Sequence, residues 1–338
     1  MNVLITQGWP KELVTKYDEY EKRLTDRGFN VYLHPKRTNL GEDELIESLQ
    51  GVDVFMCGLG KVTRRVLENA PSLRMVAKFG VGLESIDIPA CTEFGVPVVN
   101  CPGSATDPVA EFTVAMLLSA ARGLVENDRM AHAGKWGRTL GISPFHKTLG
   151  IIGFGAIGRR VAEAVSGFSM RIIAYTPHPK PEIAAKYGVE MVSMDELIEQ
   201  SDFITLHLPY TKDTCKMVNA DFLSRMKEGA ILINAARGAL VDEHALYQAL
   251  RSGHLHAAAL DVHEHEPILP DDPLLSLDNC IMTTHNAASS IEGRNYMMEY
   301  CVQNVLDVMD GLAPKGLVNP EVFPDGKIGL FIRNTAYT

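Results

Sequence analysis

No stretch of this chain is apolar for the roughly 20 residues that a bilayer-spanning helix needs. Its first residues, Met1-Asn2-Val3-Leu4-Ile5-Thr6, read as a short strand, without the charged-then-apolar pattern of a secretory leader. Cysteine is sparse: Cys57, Cys91, Cys101, Cys215, Cys280 and Cys301 are scattered and none has C-x-x-C spacing. That argues against a disulfide framework or a zinc knuckle and fits reduced thiols in the cytoplasm. Positive charge is also in deficit. Lys and Arg number 32 against 42 Asp and Glu, a formal net charge of −10, which disfavours nucleic acid and anionic membranes as partners. Local cations can still receive a small anionic substrate. Neither a solenoid-length repeat nor a low-complexity segment occurs.

What remains is an ordinary globular composition, 46% hydrophobic over 338 residues, enough for two domains. Strand-like runs at Val3–Thr6, Val31–Leu33, Val52–Cys57, Met75–Lys78 and Val98–Asn100 alternate with helical patterns at Lys11–Arg27, Glu42–Leu49 and Thr63–Asn69. This predicts a small parallel α/β domain of flavodoxin-like layout. Pro102-Gly103-Ser104 interrupts it, and one long helix is expected from Val109 to about Ala131, followed by a structural Trp136. Alternation restarts at Leu149, with later strands at Ile172–Ala174, Phe203–Leu206, Ile231–Asn234, Ala257–Asp261 and Ile281–Thr283. Six parallel strands predict a Rossmann-type, doubly wound domain. A last helix, Glu292–Met309, suggests a return to the first domain. The expected division is 1–100 with 288–320, 101–287, and a tail 321–338, with an active-site cleft where the two domains meet.

The run Leu149-Gly150-Ile151-Ile152-Gly153-Phe154-Gly155-Ala156-Ile157-Gly158 leads a buried strand through G-x-G-x-x-G into a helix. Gly153 permits the tight turn, Gly155 removes a Cβ that would block a pyrophosphate, and Gly158 lets the helix lie close on the sheet. The helix N-terminus then aims free N–H groups at the phosphates. Three later strand ends carry polar chemistry: Asn234-Ala235-Ala236-Arg237-Gly238, Asp261-Val262-His263-Glu264-His265-Glu266-Pro267, and Thr283-Thr284-His285-Asn286-Ala287. An Arg fork suits a carboxylate. A His beside a carboxylate can carry a proton near neutral pH.

Together with Thr205-Leu206-His207-Leu208-Pro209, these motifs make the chain resemble the D-isomer-specific 2-hydroxyacid dehydrogenases, from about Val52 to Pro320. The resemblance implies a catalytic set in which His285 is the general acid or base at the 2-keto oxygen. Glu266 would hold its ring, and Arg237 would bind the substrate carboxylate and polarise the carbonyl. It implies an NAD or NADP site that includes Gly153, Gly155, Ala156, Ile157, Gly158, Thr176, His207, Pro209, Ala235 and Asp261, the last near the nicotinamide carboxamide. Lys78-Phe79-Gly80-Val81-Gly82 resembles the family's substrate loop, with the Val81 and Gly82 N–H groups receiving the carboxylate; Lys78, Phe79 and Leu83 would shape the pocket. The helix near Val109 lies where relatives dimerise, so a homodimer is expected, although its apolar content would equally suit a core.

Departures from the family pattern narrow the reading. NAD-using relatives place an Asp where Thr176 stands, and His178 and Lys180 follow, so the chain leans towards tolerance of NADP. The Arg-Ser pair of phosphoglycerate-specific relatives is absent; Met56-Cys57-Gly58-Leu59-Gly60-Lys61 offers only Lys61. The formate-oxidising branch has Gln in the Glu266 place. His263-x-His265, with His254 and His256, invites a metal reading, but the i, i+2 spacing and the proposed chemistry argue against a site. Met297 and Met298 read as helix packing. The expected substrate is a small 2-keto acid such as glyoxylate, hydroxypyruvate or a longer homologue. Phosphoglycerate dehydrogenation is the alternative within the enzyme class, and a cofactor-sensing, corepressor-like interaction protein is the alternative outside it.

Overall fold

All strand pairings within the two sheets of this protein are parallel, and each sheet sits in its own unit. The computed structural model describes residues 1–6, 14–36, 40–58, 60–323, 326 and 327. One unit comprises Met1–Ala105 and Ser290–Thr338, the other Thr106–Ser289. Most of the tail from Glu321, Leu59, and the start of the helix read from Lys11 lie outside the described residues.

In the first unit, β1 (Asn2–Thr6), β2 (Asn30–Leu33), β3 (Val54–Cys57), β4 (Met75–Lys78) and β5 (Val98–Val99) are ordered β2-β1-β3-β4-β5. This is the flavodoxin-like order. Strands β3 and β4 are buried at every residue, which is why they read as unbroken apolar runs rather than alternating ones. The short β5 edge is closed by the returning chain. Buried Asn319 accepts from the Val98 N–H at 2.7 Å and donates to the Val96 carbonyl at 3.0 Å. The returning helix Ile291–Met309 lies beside helix Tyr17–Thr25, tied by Arg23 to Glu299 at 2.7 Å; Met297 and Met298 are buried in it.

The second unit holds β6 (Thr148–Ile152), β7 (Arg171–Tyr175), β8 (Glu190–Met191), β9 (Phe203–Leu206), β10 (Ala230–Asn234), β11 (Leu255–Leu260) and β12 (Cys280–Met282). Their order, β12-β11-β10-β9-β6-β7-β8, is the doubly wound arrangement with an added strand beyond the usual six. Successive residues of β10 feed two different cores: Leu232 joins Leu206 and Leu260, while Ile231 and Ile233 join Leu149 and Ile151. The sequence reading missed β8. It is two residues long with Glu190 exposed, so it carries neither an apolar run nor an alternation.

The single helix expected from Val109 to Ala131 is two, Thr106–Arg122 and Leu124–His132, bent by 68°. Gly123 stands between them in the left-handed region at φ 57°, which stops the first helix. The first piece buries Ala110, Met116, Leu117 and Ala120 in the core of its own unit; the second buries nothing. Trp136 is not structural within the chain as read: it is fully exposed. No single helix among the described residues is long and apolar enough to cross a membrane.

Candidate active site

Because every strand of the second sheet runs the same way, the loops that follow β6, β7, β9, β10, β11 and β12 emerge on one edge. The chain proceeds from β6 to β7 and β8 on one side and resumes at β9 on the other, so β6 and β9 flank the switch point where ligands bind in such sheets. Gly153 turns there with φ +100°, and a Cβ added to it would lie 2.6 Å from the His207 backbone. Gly158 is also forced by contact, since its Cβ would meet the Gly153 carbonyl at 2.3 Å. Gly155 differs. Its φ is −78° and an added Cβ meets nothing within 4 Å. Neither conformation nor a protein neighbour requires a glycine there, as expected if the requirement comes from a ligand's phosphates.

Helix Ala156–Ala164 starts at that point with no side-chain cap, leaving its first N–H groups available to an anion. His207 bonds through Nε2 to Thr205 Oγ1 at 3.0 Å, while its buried Nδ1 has no partner. Burial pushes its pKa down to about 3, so the ring is neutral. Thr176 follows β7 directly beside the glycine turn, where the Gly153 N–H donates to the Tyr175 carbonyl at 2.8 Å. His178 and Lys180 are exposed, as are Ala156 and Pro209, whereas Ala235 is buried and Ile157 half-buried. An uncapped helix start, a glycine with open space and an orphaned polar nitrogen fit a dinucleotide.

His285 Nδ1 lies 2.7 Å from Glu266 Oε2, and both side chains are partly exposed. The bond to a carboxylate places a proton on Nδ1 and turns Nε2 outwards. That hydrogen bond holds the His285 pKa above its usual range, against burial and the Arg237 charge. Burial disfavours the Glu266 anion, but His285 and the His263 N–H, 3.1 Å from Oε1, hold its carboxyl below the usual range. Arg237 stands on a turn braced by buried Asn234, which donates to the Arg237 carbonyl at 2.9 Å and accepts from Ala236 N at 3.0 Å. Its guanidinium donates to the Ala236 carbonyl at 2.7 Å.

Asp261 also braces the His285 loop. It is fully buried, and its oxygens accept from Thr283 Oγ1 at 2.6 Å, Asn286 N at 2.8 Å and Ala287 N at 2.8 Å. Its carbonyl accepts from His285 N at 2.8 Å. A carboxylate engaged in this way helps hold His285 in its left-handed conformation, φ 56°. Sequence reasoning also gave Asn234 and Gly238 no roles. A Cβ at Gly238 would stand 2.0 Å from the His263 carbonyl, so that glycine lets the Arg237 and His263 loops touch. A polar residue closing an otherwise apolar strand, as Asn234 closes Ala-Ile-Leu-Ile, was the available signal.

In the first unit, Lys78 is 7% exposed, and its ammonium is tied to the Gly58 carbonyl and to Ser85 Oγ at 3.4 Å. Phe79, the next residue, is likewise buried. Gly80, at φ +119°, turns the chain so that Val81 is exposed. Among the described residues, the Val81 and Gly82 N–H groups have no acceptor within the chain. Of the histidines considered for metal, His254 and His263 spend Nε2 on the carbonyls of Leu223 (3.0 Å) and Thr283 (2.8 Å).

The family model for the D-isomer specific 2-hydroxyacid dehydrogenase NAD binding domain matches residues 114–287. The chain belongs to this family. It is 38% identical over 327 residues to a glyoxylate reductase of Korarchaeum cryptofilum, covering 95% of this chain and 96% of that one. It is 41% identical over 296 residues to a D-3-phosphoglycerate dehydrogenase of Methanocaldococcus jannaschii, which spans 86% of this chain but only 56% of the relative. A solved structure of a Thermus thermophilus protein superposes with a TM-score of 0.86 at 35% identity, covering 94% and 100% of the two chains. The protein is accordingly a 2-hydroxyacid dehydrogenase using a nicotinamide nucleotide.

Proposed function

We propose that this dehydrogenase reduces a small 2-keto acid of the glyoxylate or hydroxypyruvate type to its D-hydroxy acid. The reading is carried by the 2.7 Å bond between His285 and Glu266 at the ligand-binding edge of the sheet. The 153–158 turn, the helix start behind it and the loop at His207 would hold the dinucleotide, which would supply or accept the hydride. His285 Nε2 donates its proton to the keto oxygen as negative charge develops there, and takes it back in the reverse direction. Glu266 keeps the ring oriented and favours its charged form. Arg237 binds the substrate carboxylate and lowers the cost of charge on the oxygen. To the Val81 and Gly82 N–H groups we assign backbone binding of a carboxylate.

Thr176 in the acidic position, with His178 and Lys180 after it, supports acceptance of NADPH as well as NADH. The free, scattered thiols support a cytoplasmic setting. A homodimer is supported by the exposed Leu124, Trp136, Leu140 and Phe145. The test is one panel of glyoxylate, hydroxypyruvate, longer 2-keto acids and phosphohydroxypyruvate, each assayed with NADH and NADPH. Highest kcat/KM on an unphosphorylated acid, with NADPH turned over, is expected. Preference for phosphohydroxypyruvate would move the protein to the phosphoglycerate branch, and preference for L-hydroxy acids in reverse would overturn the reading.

A further inference from the structure

His263, first considered for metal, sits where three functional loops meet. It is 5% exposed. Its backbone N–H donates to Glu266 Oε1 at 3.1 Å, its ring Nε2 reaches the Thr283 carbonyl at 2.8 Å, and its own carbonyl lies against Gly238 beside Arg237. A carbonyl only accepts, so Nε2 carries a proton. The other ring nitrogen is buried and faces Glu243 Oε1 at 3.7 Å. A neutral ring would turn a lone pair towards that carboxylate; an imidazolium turns a proton. Glu243 is itself held, accepting from Glu264 N at 3.0 Å, while Glu264 pairs with Lys216 at 2.9 Å.

We propose that His263, whose ring faces Glu243, is a positioning residue that ties the strand end carrying His285 to the loop carrying Glu266. The proposal rests on the roles given above to Glu266 and His285. The charged groups facing His263 are Glu243 at the start of helix Glu243–Arg251, Glu266 on its own loop with His285 behind it, and Glu264 with Lys216. Burial opposes charge on the ring, but the contacts with Glu243, Thr283 and Glu266 outweigh it and raise its pKa. Losing the Thr283 bond frees the segment that leads to His285, which loosens the 2.7 Å bond and lets the His285 pKa fall. Losing the neighbouring cation alone would raise it. The two causes therefore have opposite signs.

The experiment is a pH titration of ring ¹³C signals in the full-length, histidine-labelled protein, with His285 assigned by its absence in His285→Ala. In His263→Phe, which keeps the bulk and removes the donor, the His285 midpoint is expected to fall by about one pH unit. The kcat for glyoxylate with NADPH near pH 7.5 should fall about tenfold with KM little changed. His263→Gln, whose amide restores a donor to Thr283, should return both towards wild type. An unmoved or raised midpoint in a folded His263→Phe overturns the proposal, and so does Gln behaving like Phe. If Phe fails to fold, His263→Leu, smaller and equally without a donor, decides by the same signs: a fallen midpoint supports the tie, and an unmoved or raised one overturns it. Unimpaired turnover in His285→Ala would instead sink the assignment of His285, which the midpoint shift does not depend on.

Discussion

At the residue scale, the glycines of the 153–158 turn separate into those the protein needs and one it does not. Gly153→Ala adds a Cβ against the His207 backbone at a φ of +100°. We expect more than about 2 kcal/mol of destabilisation in urea unfolding. Gly155→Ala should stay within about 0.5 kcal/mol of wild type in the same assay, while the dinucleotide KM rises about tenfold or more. Equal stability losses would show that Gly155 serves folding. The pH dependence of turnover has a definite sign. Reduction needs the protonated ring, so it persists above the ordinary histidine value of 6.5 and fades as pH rises through the raised His285 pKa. Oxidation needs the neutral ring and grows over the same interval. Glu266→Gln removes the anion, so the upper limb of the reduction profile should move to lower pH, with kcat at pH 7.5 down by about ten- to a hundredfold. An unmoved limb would show that Glu266 does not act through the ring.

At the scale of elements, the sequence exposed what was periodic and hid what was short or bent. Strands β3, β4, β9 and β10 were legible because both faces of a parallel sheet are covered, which leaves continuous apolar runs. The edge strand β8 needs neighbours to exist and so left no such run. The break at Gly123 was hidden because apolar residues continue through it, and only the backbone conformation separates a buried helix from an exposed one. Asn319 shows an element completed from far along the chain. Its amide bonds Val98 and Val96, and also donates to Thr92 Oγ1 at 3.1 Å. Asn319→Ala should cost about 2–3 kcal/mol in thermal or urea unfolding, because buried strand groups lose their partners. A loss below about 0.5 kcal/mol, the range of a surface change, would show that the β5 edge does not depend on it.

For the whole molecule, Trp136 at 101% exposure and Leu140 at 94% mark a surface that the chain itself leaves uncovered. The wild type is expected to sediment as a dimer and a Trp136→Asp, Leu140→Asp double variant as a monomer. A wild type already monomeric at micromolar concentration would remove the proposal. Much of this protein was readable from local pattern: two α/β sheets, a glycine turn placed for phosphates, and the strand ends bearing Arg237, Glu266 and His285. Glycine spacing and apolar periodicity are properties of neighbours in sequence, so no fold is needed to see them. The sequence did not reveal that Asp261 spends its charge on residues 283–287, nor that His263 joins Glu266 to Thr283. Apart from the local His263–Glu266 bond, these link residues 20 to 26 apart along the chain, and they exist only because parallel β11 and β12 release their loops on the same edge. Residue type announced the chemistry, and the ordering of strands decided which polar groups come together at the sheet edge and which hold the others in place.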